Sequence, residues 1–266
     1  MNGTIRRFVN SIQYIRKTAS MGIAAAALLM VACTAQATNL VVNGDFSQTT
    51  PVTAANPSNA DGGQLGYNIT ATGWATSGYN FIFAPGTADN PGVSGVYNNL
   101  QLWGPQNGSA NGLPATSPDG GNYVAADGAF EVGAITQTIN DLTIGDEYAV
   151  SFYWAGAQQS GFSGNTTEGW DVSLGSTTQD TTIVHDVSLG FTGWQYQTFD
   201  FTASSSTEVL SFLAVGTPSG EPPFALLDGV SMTQVTPEPA TLPLLLTGMM
   251  GCLGVFGSKK WLTNRL

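Results

Sequence analysis

The chain has 266 residues, a formal net charge of -11 and 42% hydrophobic residues, which suits one or two globular domains. Its basic residues Arg6, Arg7, Arg16, Lys17, Lys259, Lys260 and Arg265 all lie towards the two ends, and every acidic residue except Glu238 lies between Thr38 and Thr236, where no Lys or Arg occurs. Such a stretch repels nucleic acid and anionic lipid, which excludes a nucleic-acid partner, and its carboxylates must be solvated, bonded to backbone or bound to cations.

The first element is a positively charged start, an apolar stretch over residues 21–33 and the small-x-small triplet Ala35-Gln36-Ala37. That order predicts a secretory signal peptide over residues 1–37, with Met30-Val31-Ala32-Cys33 leaving a lipoprotein box as a second reading. The apolar stretch is short for a spanning helix. Cys33 and Cys252 both fall outside residues 38–235, so this segment has neither a disulfide framework nor a cysteine metal site.

Residues 38–235 are rich in Gly, Thr, Ser, Asn and aromatics and sustain no helical period, which predicts an all-β domain. A first strand is expected over Asn39-Leu40-Val41-Val42, stopping at an Asn43-Gly44 turn. Residues 48–121 are punctuated by Gly and Pro and predict long loops with short strands such as Tyr79-Asn80-Phe81-Ile82-Phe83. From Asn122 the pattern sharpens, with strands expected over 122–126, 134–139, 148–154, 170–174, 197–202, 209–215 and 224–232. Tyr148, Val150, Phe152 and Trp154 alternate onto one face, whereas 209–215 reads as apolar on both. Strands at this spacing with no helices between them predict a β-sandwich.

Nothing in the chain carries a catalytic motif. His185, the single histidine, reads as a solvent-facing strand residue, and Asp146-Glu147 as a turn. Asp119-Gly120-Gly121 lacks a phosphate-loop pattern. The aromatics carry the functional expectation, because sugar faces stack on such rings. Trp154 and Trp170 are expected in the core. Trp103, between polar neighbours, and Trp194, after a turn, are expected to be exposed, with Tyr196 beside them, as candidate ligand-binding residues.

The opening Asn39-Leu40-Val41-Val42-Asn43-Gly44-Asp45-Phe46 and the closing Ala225-Leu226-Leu227-Asp228-Gly229-Val230-Ser231 together resemble the two ends of galactose-binding-like jelly rolls found among carbohydrate-binding modules. The resemblance implies a jelly-roll β-sandwich and polysaccharide as ligand. It also implies a structural calcium ion joining the first loop to the last strand, with Asp45 and Asp228 as its ligands here. Ser47 and Gly229 depart from that pattern where acidic or amide residues are usual.

After the sandwich come Pro237-Glu238-Pro239, an apolar run over residues 242–257 and a basic tail, an arrangement that resembles the PEP-CTERM sorting signal of Gram-negative bacteria over residues 236–266. The prolines hold the motif extended. The apolar run would span about 24 Å as a helix, short against a bilayer core of about 30 Å. The resemblance implies an exosortase-type partner. It also implies a membrane-anchored intermediate, held in the inner membrane by the C-terminal helix, and delivery to the cell surface or extracellular matrix. A permanent tail anchor is the other reading. The chain is thus expected to be a non-enzymatic exported protein that binds polysaccharide. The alternatives are a purely structural or adhesive matrix protein and a divergent surface glycan hydrolase.

Overall fold

The computed structural model describes residues 38–51, 62–90 and 100–236. The expected signal peptide, the Pro237-Glu238-Pro239 motif and the C-terminal apolar run lie outside these residues. The described residues are all-β, with fourteen strands. The first five are short: β1 (Thr49–Pro51), β2 (Gly62–Gln64), β3 (Ile69–Ala71), β4 (Ala75–Thr76) and β5 (Asn80–Phe83). The rest are β6 (Tyr123–Asp127), β7 (Ile135–Ile139), β8 (Glu147–Gln158), β9 (Thr166–Leu174), β10 (Thr177–Asp180), β11 (Val184–Asp186), β12 (Gln195–Thr202), β13 (Glu208–Thr217) and β14 (Pro223–Gln234).

β1 and β3 form a two-stranded ribbon. One larger sheet has the order β10-β9-β13-β7-β4, with β11 also on β9; the other runs β12-β8-β14-β6-β5-β2. From β6 onward the chain crosses repeatedly between these two antiparallel sheets, and this alternation makes the sandwich a jelly roll.

Side-chain alternation places the core. Val150, Phe152 and Trp154 of β8 face Trp170, Val172 and Leu174 of β9 and Leu210, Phe212 and Ala214 of β13 between the sheets. The Trp170 indole satisfies its one donor there, giving its N–H to the Leu226 carbonyl at 3.1 Å. The opposite face of the second sheet carries another apolar layer. Phe81, Phe83, Tyr123, Ala155, Ala157, Phe224 and Leu226 are covered there by Ala88, Leu100, Leu102 and Leu113 from the connection between β5 and β6.

Three local expectations are corrected. Asn39-Leu40-Val41-Val42 forms no strand; it docks on β14 through a Leu40 N–H to Met232 carbonyl bond of 2.8 Å and through Asn39 Oδ1, which accepts from the Met232 N–H at 3.0 Å. At Asn43-Gly44 the left-handed residue is Asn43, at φ 55, rather than the glycine. Gly44 serves close approach: a Cβ there would collide with the Val230 carbonyl oxygen. Third, β13 alternates, with Val209 exposed, because the outer face of its sheet is not covered as the second sheet's is.

Candidate functional site

One end of the sandwich gathers the connections β6–β7, β8–β9 and β13–β14 around a pocket of about 230 Å³ lined by Tyr79, Asp127, Phe130, Gln159, Phe162 and Pro222. Asp127, the last residue of β6, builds its base. Its Oδ1 accepts the N–H groups of Ala129 and Phe130 at 2.8 and 3.0 Å, an Asx-type turn that sets the following loop. Its Oδ2 is buried and has no partner. Burial pushes this carboxyl up to about 6, against the pull of those two N–H groups. Tyr79 stands half-buried beside it. Burial first, then the charges of Asp127 and Glu131, raise the phenol above its ordinary value.

The rings around Asp127 are held by contacts of their own. Tyr79 meets Phe81 and Phe130 edge-on, with centroids 4.6 and 5.4 Å apart. Phe130 is 52% and Phe162 37% exposed, so both present apolar area to solvent. The Phe162 carbonyl accepts the Trp103 indole N–H at 2.7 Å, and Gln158 Nε2 donates to the Gly164 carbonyl at 3.1 Å, which ties the β8–β9 connection down. The exposed rings can stack on a sugar face, and the unpartnered Asp127 oxygen beneath them meets a hydroxyl only where a ligand displaces what covers it. The volume is below the roughly 300–1,000 Å³ of pockets that enclose a drug-sized ligand, and it suits a single ring.

The three aromatic residues expected to bind ligand are not brought together. Trp103 is half-buried and supports Phe162 from behind. Trp194 is half-buried rather than exposed, packed on Tyr123 and Phe191 at 5.5 and 6.4 Å, and its indole nitrogen is buried without a partner. Tyr196 is 60% exposed on β12 and packs on Tyr153 across the strand pair at 5.0 Å. Trp194 and Tyr196 are absent from the pocket lining. Of the pocket residues, only Tyr79 is named from the sequence alone, at the start of a short strand. Asp127 and Phe130 open the β6–β7 connection and Phe162 lies on the β8–β9 connection, and only the crossing of the chain between sheets joins the two.

A second polar site lies where the first loop meets the last strand. Asp228, on β14, is fully buried; the Ser117 hydroxyl donates to its Oδ2, while Oδ1 has no partner. Burial pushes its carboxyl up to about 8, the Ser117 hydrogen bond opposes this, and the charges of Asp119 and Asp45 add to it. Asp45 and Asp119 are therefore electrostatic neighbours of Asp228. Gly229 sits at a β-bulge with φ 60, and a Cβ there would stand 3.0 Å from the Asp119 Cβ. Asp119 thus occupies the space beside Gly229, the position where the resembled pattern has an acid or amide. On the other side, a Cβ at Gly121 would lie 2.5 Å from Ser47 Oγ. The orphaned Asp228 oxygen fits an oxygen-ligated cation. Among the described residues, however, no three His, Cys, Asp or Glu side chains gather at metal-ligating separation.

No protein-family model matches the sequence, and no curated protein matches it. Among solved structures, the chain is similar to a family 61 carbohydrate-binding module in complex with β-1,4-galactotriose, at 14% identity, 74% of this chain, 99% of that chain and a TM-score of 0.36. It is also similar to the CBM22-1 xylan-binding domain from Paenibacillus barcinonensis Xyn10C, at 11% identity, 76% of this chain, 97% of that chain and a TM-score of 0.38. A third is a CBM4 module, at 16% identity, 73% of this chain, 99% of that chain and a TM-score of 0.30. The jelly-roll description rests on the strand order of this chain itself.

Proposed function

We propose that this protein is a non-catalytic, exported polysaccharide binder that takes a sugar ring into the pocket between Tyr79, Phe130 and Phe162. The observation that carries this reading is the free, buried Oδ2 of Asp127 beside rings exposed to solvent. The rings supply apolar area for the C–H face of a sugar, and a hydroxyl that displaces what now covers the Asp127 oxygen donates to it. A calcium ion held by Asp45 and Asp228, with Asp119 alongside, would neutralise their charges and clamp the first loop to β14. Its role is to hold the fold; it takes no part in sugar contact.

A glycan array probed with the protein tests the reading. Binding to at least one polysaccharide is expected, and Phe130→Ala is expected to weaken it about tenfold, the worth of one stacked ring at about 1.4 kcal/mol. Absence of binding to every glycan would leave the structural or adhesive alternative. That alternative draws on the covered face of the second sheet, where Leu100, Leu102 and Leu113 pack on β8 and β14 in place of an open cleft.

The Pro237-Glu238-Pro239 motif, the apolar run and the basic tail support sorting by an exosortase-type enzyme, through a membrane-held intermediate, to the cell surface or matrix. Intact mass of the protein recovered from its native host is expected to place the mature C-terminus near Pro239. Retention of Arg265 would favour a permanent anchor.

A further inference from the structure

The interior row of β9 changes character at one end of the sandwich. Trp170, Val172 and Leu174 point between the sheets, and the period of two carries Glu168 and Thr166 onto the same face. β11 adds Asp186, directly opposite Thr166 in register, and Val184, opposite Glu168. Across the gap, β8 presents Gly156 and Gln158 where a larger apolar side chain would fill the layer. A Cβ at Gly156 would stand 2.6 Å from Glu168 Oε2, and a Cβ at Gly190 would collide with Asp186 Oδ1. Both glycines thus make room for carboxylates.

These polar groups are buried and unanswered. Glu168 is fully buried with neither oxygen bonded; Asp186 Oδ2 and the Thr166 hydroxyl are likewise buried without a hydrogen-bond partner. The Thr166 oxygen lies near enough to favour the charged form of Glu168, yet makes no bond of ordinary geometry with it. Leaving four such atoms empty is costly, and the domain has no Lys or Arg to answer them. A proton shared between the two carboxyls would satisfy one oxygen on each and leave the rest. A cation seated between Glu168 and Asp186 would answer oxygens on both.

We propose that Glu168, Asp186 and Thr166 bind a calcium ion inside this end of the sandwich, at a site separate from Asp45 and Asp228. Hard oxygen donors, two of them carboxylates, match that ion. The ion also explains why an interior row gives up two apolar positions. It braces β11 and the turn after it against β8, where Thr192 and Gly156 already exchange two hydrogen bonds of 2.8 and 3.0 Å. Burial lifts both carboxyls, Glu168 to about 8 and Asp186 to about 7, so the metal-free pair carries protons until the ion displaces them.

The Asp228→Asn chain isolates this site from the other. Equilibrated with about 1 mM calcium and desalted, it is expected to retain one calcium ion per chain by elemental mass spectrometry. Adding Glu168→Gln is expected to remove that ion and abolish the rise in melting temperature on calcium addition at pH 7.5. In chelator, the same Glu168→Gln change is expected to raise the melting temperature, because the buried side chain no longer has to take up a proton on folding. Equal calcium content with and without Glu168→Gln overturns the proposal and leaves the shared proton. Should the double variant not fold, the wild-type chain set against Asp186→Asn alone gives the same reading: loss of one ion supports the site, and unchanged content refutes it.

Discussion

In the presence of a chelator, the protein is expected to lose stability as the pH rises from about 5 to about 8. Four buried carboxyls lie above their ordinary values, and burial is the leading cause for each: Asp127 at about 6, Asp186 at about 7, and Glu168 and Asp228 at about 8. Between the unfolded values, near 4, and these folded ones, the native state holds more protons than the unfolded chain. The stability they contribute is therefore complete below about pH 4 and is lost as the pH passes through the folded values. One carboxyl displaced by two units changes stability by about 2.6 kcal/mol, and all four are displaced in the same direction. A domain of this size shifts its melting temperature by about 2–4 °C per kcal/mol, so one such carboxyl alone gives a fall of about 5–10 °C and the four together a larger one. Calcium is expected to restore most of it at pH 8 and to change little at pH 5, where protons occupy the same oxygens. Differential scanning calorimetry across the four conditions measures this. A melting temperature that climbs with pH in chelator would contradict the buried, unpaired state of these groups.

Gly44→Ala is expected to be the most damaging single methyl addition near the candidate calcium site. Gly44 has no positive φ that would call for glycine, yet a Cβ there would collide with the Val230 carbonyl oxygen and lie 2.9 Å from its carbon. The same pair shares a hydrogen bond, the Val230 N–H to the Gly44 carbonyl at 3.0 Å. The segment cannot retreat cheaply. Phe46 is fully buried, with its ring 5.1 Å from that of Trp74, and the Trp74 indole donates to the Asn43 carbonyl at 2.9 Å. Losing this docking also pulls Asp45 away from Asp228. The expected cost is about 3 kcal/mol or more, and the calcium response is expected to weaken with it. Gly145→Ala is the control. Nothing lies within 4 Å of its Cβ, so only its positive φ of 90 opposes the change, at about 1 kcal/mol. Equal melting temperatures for the two variants would mean that the close approach at Val230 does not constrain the fold.

Seven of the nine strands from Tyr123 onward were legible because their alternation is local; β10 and β11 were not among the expected spans. Tyr148, Val150, Phe152 and Trp154 sit on one face wherever the strand is placed, and that face is the core. The opening segment misled because Asn39-Leu40-Val41-Val42 has strand composition but no neighbour to pair with along its length. It spends its polar groups on single bonds to Met232. The apolar reading of both faces over 209–215 failed because composition does not say which sheet face is covered. Trp194 looked like a loop residue, and the second apolar layer, invisible in the period of any one strand, drew it in.

The acids divide in the same way. That no basic side chain stands between Thr38 and Thr236 is a property of composition, and it already required the carboxylates to find water, backbone or cations. Which of them are denied water is a long-range matter. Asp228 meets Ser117 across 111 positions of sequence. Glu168 and Asp186 become neighbours only when β11 folds back on β9. The sequence by itself determined an all-β domain, its strand periods and its one-sided charge, because these depend on residue type and spacing of two. Only the tertiary structure decided which carboxylates are buried, which glycines make room for them, and which rings form a pocket. Burial and unmet hydrogen bonds are properties of what lies across the gap between sheets, and no single strand contains that information.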